Sequence, residues 1–127
     1  MTEKRGAGRN PFPSEAFFCV PIKLHDCGLA RSLTPAQYKR YCTFLRLANY
    51  YKRHQFRATL PALEELDGIC ARRAHEIHPK LEERGMMLIE RDKNPYVYVV
   101  LLPSEWRDEK GQPYPPGKIP KSYLWNL

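Results

Sequence analysis

From Thr59 to Leu102 the chain reads as two short helices across a glycine turn followed by two apolar strands, an order that few folds accommodate. Thr59 is placed to cap a helix with its hydroxyl oxygen, and Pro61 falls in the first turn, where no amide hydrogen is needed. Leu60, Leu63 and Leu66 supply its buried side. Asp67-Gly68 ends this helix, because glycine reaches the left-handed backbone that a tight turn requires, and Ile69 anchors the turn in the interior. In the next helix Cys70, Ala74, Ile77 and Leu81 recur at helical spacing and are expected to point inward. Arg72, Arg73, Glu76 and Lys80 then face outward, and Gly85 closes the element. Pro79 stands inside it, removes the hydrogen bond to the carbonyl of His75 and predicts a kink or a restart.

Met86 to Arg91 and Tyr96 to Leu102 are apolar, β-branched runs joined by the turn sequence Asp92-Lys93-Asn94-Pro95, so they are expected to pair as an antiparallel hairpin. Upstream, Thr34-Pro35 starts a helix in which Tyr38, Tyr41, Cys42, Leu45 and Ala48 form an apolar stripe widened by Phe44 and Leu47. Lys39, Arg40 and Arg46 fall mainly away from that stripe. The helix should end near Asn49 or Tyr51, leaving Tyr50 to Arg57 as a basic, aromatic connection. Phe17 to Ile22 reads as an extended segment that Pro21 restricts to a sheet edge, placed to pair with the hairpin, and His25 to Leu33 as a loop. Residues 1–16 are expected to be a flexible basic arm, 17–102 one domain, and 103–127 a proline-rich tail. The tail's apolar end, Tyr123, Leu124, Trp125 and Leu127, suits docking on this domain or on a second copy.

A chain of 127 residues suits one domain with its own core, and 43% hydrophobic against 28% charged residues excludes a disordered one. No apolar run approaches the ~20 residues that span a bilayer. The first residues lack the apolar segment of a secretory signal, so a cytoplasmic protein without a membrane partner is expected. Cys19, Cys27, Cys42 and Cys70 form no CxxC clip, and a zinc site from Cys19, His25 and Cys27 lacks a fourth ligand; no metal is expected. His25, His54, His75 and His78 form no HExxH or triad-like pattern, and no glycine-rich phosphate loop occurs. Neither catalysis nor a cofactor is expected. The net charge of +7 favours polyanionic partners. Much of it is concentrated: Lys39, Arg40, Arg46, Lys52, Arg53 and Arg57 lie between Thr34 and Ala58 with no acidic residue among them.

The run Leu66-Asp67-Gly68-Ile69-Cys70-Ala71-Arg72-Arg73, followed by Leu81-Glu82-Glu83-Arg84-Gly85-Met86, resembles the helix-turn-helix of the winged-helix family of DNA-binding domains. The resemblance covers roughly residues 34–102 and implies an α+β fold, a winged helix-turn-helix of three helices plus a small antiparallel sheet with a β-hairpin wing. It implies a recognition helix, 70–84, in the major groove of double-stranded DNA and a wing, 86–102, near the minor groove. Many members carry serine or threonine where Cys70 stands, to cap the helix and touch a phosphate. On that reading Arg72 and Arg73 reach base edges or phosphates, with His75, Glu76 and Lys80 one turn further along. Glu76 either accepts from a cytosine amino group or pairs with a neighbouring cation. Thr59 at a helix start, together with Lys52, Arg53 and Arg57, is placed for phosphates, and Arg91 and Lys93 at the wing tip for the minor groove. The expected activity is sequence-specific DNA binding by a transcriptional regulator, with a homodimer through the tail or first helix as a possible assembly. The chain is also similar to the N-terminal domains of phage and plasmid replication initiators. A winged helix serving protein interaction is the reading from another class.

Overall fold

The computed structural model describes residues 20–51 and 54–114, so the expected arm, residues 17–19, Lys52, Arg53 and the apolar end of the tail lie outside it. The architecture is α+β. Among the described residues five α-helices follow in order as α1 (Lys23–Asp26), α2 (Leu29–Ser32), α3 (Pro35–Tyr51), α4 (Leu60–Asp67) and α5 (Ala71–Glu83). Strands β1 (Gln55–Arg57), β2 (Met87–Glu90) and β3 (Val97–Val100) form one antiparallel sheet in the order β1-β3-β2.

Local chemistry sets the element ends. Thr34 and Gln37 exchange side-chain and backbone hydrogen bonds at 3.0 and 3.1 Å, a capping box that starts α3. Thr59 accepts from the amide of Ala62 at 3.3 Å and starts α4. At the end of α5 the amide of Gly85 donates to Glu82 and that of Met86 to Leu81, the paired bonds of a Schellman motif. Gly85 has φ of 69°, and a Cβ there would stand 2.1 Å from the carbonyl oxygen of Glu105. No other residue fits.

α3 is the central rod. Its Tyr41, Phe44 and Leu45 meet Leu63 of α4, Ile77 and Leu81 of α5, and the inner rung of the sheet, where Phe56, Tyr98 and Ile89 stand in register. Phe44 stacks on Tyr98 with centroids 5.0 Å apart and lies 5.3 Å from the ring of His78.

Several expectations change. Of the segment expected to be extended only residues 20–22 are described, and none of them lies in a strand; the expected loop from His25 instead holds two single helical turns about Gly28, because Leu24 and Leu29 are both drawn fully into the core. The connection before Thr59 contains a strand: Phe56 points inward between the exposed Gln55 and Arg57, and β1 takes the edge position expected of the earlier segment. Leu66 turns to solvent because Asp67 occupies the inward slot at the end of α4, and Cys70 is exposed at the N-cap of α5. Pro79 starts no new helix; it is an exposed residue within an uninterrupted α5 and leaves the carbonyl of His75 without its helical amide partner. The packed region also runs past Leu102. Trp106 is fully buried against Tyr41, the amide of Arg107 donates to the carbonyl of Arg84 at 2.7 Å, and Arg84 holds Ser32, Arg107 and Tyr114 through its guanidinium.

Candidate nucleic-acid interface

The orientation of α5 is fixed from inside by a buried polar cluster that periodicity alone hides. Arg40, expected on the outer face of α3, is fully buried. Its Nε donates to Asp67 Oδ2 at 2.6 Å and its Nη2 to Asp67 Oδ1 at 3.0 Å, a bidentate pair. Nη2 also donates to the carbonyl of Ile69 at 3.0 Å, and Nη1 to His78 Nε2 at 2.8 Å. Thr43 and the amide of Ile69 complete the carboxylate at 2.7 and 3.0 Å. One guanidinium therefore joins α3, the turn between α4 and α5, and the middle of α5. Burial alone would raise the Asp67 carboxyl, but hydrogen bonds from Arg40, Ile69 and Thr43 outweigh it and hold it below the usual range. His78 is pushed down to about 4, first by burial and then by the Arg40 charge, so at neutral pH it accepts from arginine as an uncharged ring. Removing one partner of such a buried pair costs about 3–5 kcal/mol. The signal in the sequence was spacing: Arg40 stands four residues before Phe44 and so shares the face of α3 that the rings occupy.

With Ala74, Ile77, His78 and Leu81 buried, the opposite side of α5 carries the exposed Arg72, Arg73, His75, Glu76, Lys80 and Glu83. At 100° per residue Arg72, Glu76 and Glu83 run down the middle of this side. Arg73 and Lys80 flank them on one edge, and His75 and Glu82 on the other.

The partners of these groups differ. Among the described residues Arg72 has no hydrogen bond or ion pair. Arg73 Nε stands 3.9 Å from Glu76 Oε2 and Lys80 Nζ 3.6 Å from Glu83 Oε2, both exposed and both beyond hydrogen-bond distance. Arg91 is different. It grips Glu82 through two bonds of 2.6 and 3.0 Å, which ties the hairpin loop to α5 and occupies the guanidinium expected to reach a minor groove. Lys93 remains exposed at the loop, 4.0 Å from Asp92.

Of the other sequence-predicted residues, Arg57 is exposed on β1 opposite Val97, at the base of the hairpin loop, and Thr59 follows it as the cap of α4. Cys70 makes no side-chain capping bond. Helix α5 thus brings together Arg72, Arg73, His75, Glu76 and Lys80, with Arg91 joined through Glu82. Lys52 and Arg53 fall outside the described residues. The outward side of α5 and the loop carry carboxylates beside nearly every cation, so the surplus positive charge lies elsewhere, in the segment holding Arg57, Arg46 and Lys39.

Among the described residues no three His, Cys, Asp or Glu side chains group to hold a metal ion, and no helix is long and apolar enough to cross a membrane. No family model, curated protein or solved structure matches the chain.

Proposed function

We propose that the chain is a winged-helix protein that binds double-stranded DNA sequence-specifically as a transcriptional regulator, with α5 entering the major groove and the loop between β2 and β3 as the wing. The observation that carries this reading is an exposed helix pinned from beneath at Arg40, Asp67 and His78, with the unpaired guanidinium of Arg72 near its start. α3, α4, α5 and then the hairpin of β2 and β3 also follow one another in the order that the winged-helix resemblance implies. Such a helix meets base edges with its N-terminal residues, where arginine donates two parallel bonds to guanine O6 and N7. Backbone attraction comes from the flanking basic segment. The tie between Arg91 and Glu82 joins wing and helix into one reader, leaving Lys93, 4.0 Å from Asp92 and without a hydrogen bond to it, as the wing cation placed to meet a phosphate.

Fluorescence anisotropy on labelled duplexes tests it. Contacts to about six phosphates weaken binding about a thousandfold or more between about 50 and 200 mM salt. Arg72→Ala should remove preference for the selected site, whereas Arg57→Ala should weaken all duplexes alike. Binding that ignores salt, or equal losses on every sequence for both variants, refutes the reading. A palindrome in the selected sites marks a symmetric dimer of regulators, and direct repeats an initiator.

A further inference from the structure

We infer, resting on the reading of α5 as a groove-binding helix, that Glu76 is a specificity-determining residue that selects cytosine about two base pairs from a guanine held by Arg72. The two side chains lie one turn apart in the middle of the outward side, and four residues of helix rise about 6 Å against about 3.4 Å per base pair.

Glu76 shares with Glu83 an exposed carboxylate whose cation stands beyond hydrogen-bond distance, and it differs from Glu83 in lying one turn from Arg72. The Glu76 side chain is 69% exposed, and among the described residues the one cation within 4 Å, Arg73, stands at 3.9 Å without a hydrogen bond, so its acceptor oxygens are unclaimed. Exposed pairs of this kind contribute only about 0–1 kcal/mol and yield readily to a better donor. The neighbouring carboxylate Glu82 has no such freedom, since both its oxygens already accept from Arg91.

A carboxylate brought into a groove must find a donor or be repelled. Guanine offers O6 and N7, thymine offers O4, and all three are acceptors that an anion rejects. Adenine sets its amino donor beside the acceptor N7. Cytosine presents its N4 amino group without a neighbouring acceptor, and it is the base a glutamate accepts from. Glu76 therefore acts by exclusion as much as by attraction, and it lowers affinity for most sequences while sharpening the choice at one position.

Selection of duplexes from a randomised pool by the purified full chain, repeated with Glu76→Gln and Glu83→Gln, tests this. The wild-type chain should retain duplexes with a guanine and, about two base pairs away, a cytosine. Glu76→Gln should keep the guanine, lose about tenfold of the discrimination for cytosine and bind the unselected pool at least as tightly. Glu83→Gln makes the same charge change at the far end of the helix and should leave both preferences intact. Retained sites without that cytosine, or an unchanged preference in Glu76→Gln, overturn the assignment of Glu76 while DNA binding stands. A wild-type chain that retains no duplex overturns the DNA-binding reading itself, and this inference with it. Both glutamates are exposed, and circular dichroism checks that the variants fold alike.

Discussion

His78 lies between an arginine and two aromatic rings, and its protonation state is part of the fold. As an acceptor from Arg40 Nη1 at 2.8 Å it must be neutral; a proton on Nε2 would set two cations against each other in the core. The unfolded chain has no such restriction, so its imidazole titrates near 6.5 while the folded one waits until about 4. Between those values the unfolded state binds more protons, and stability therefore rises with pH through the window and is lost as pH falls. The expected loss is about 3 kcal/mol from about pH 6.5 to about pH 4. Asp67 adds a loss of the same sign only below the usual carboxylate value of 3.8, outside that window. Urea unfolding at a series of pH values measures the slope. His78→Gln keeps an acceptor for Arg40 without a titrating ring and should flatten it; a slope unchanged by the substitution would place the acid sensitivity elsewhere.

At the scale of elements, α5 joins a strong stop signal to an internal flaw. The Schellman motif at Gly85 ends it firmly, yet Pro79 leaves the carbonyl of His75 without its helical partner. Pro79→Ala restores that bond and should stabilise the protein by about 1–3 kcal/mol, seen as a higher midpoint in thermal melting. A lower midpoint would mean that the ring makes contacts worth more than the missing bond. α3, α4, α5 and the hairpin were legible in the sequence because capping residues, apolar periodicity and glycine turns act over a few neighbouring residues. The outward residues of α5 were legible for the same reason. What escaped depended on distant partners: β1 exists because Phe56 meets Tyr98, Arg40 is inward because Asp67 waits 27 residues later, and Arg91 is engaged because Glu82 lies opposite the hairpin loop.

For the whole molecule, the decisive contact is the return of the chain over its own helix end. The core was expected to close by Leu102, but Trp106 fills it from outside that boundary, and one tryptophan beyond a proline in a polar stretch carries no local sign of its destination. Trp106→Ala should cost about 3–5 kcal/mol in urea unfolding, a large share of the roughly 5–15 kcal/mol that holds a small domain together. A loss below about 1 kcal/mol would show the segment after Leu102 to be peripheral. The notch at Gly85 that admits the carbonyl of Glu105 also sets a schedule. A ribosome delivers helices and hairpin before the residue that seals them, so the nascent domain stays ajar until its indole leaves the exit tunnel. Any pause in translation after the hairpin lengthens the interval in which chaperones and proteases find it unfinished.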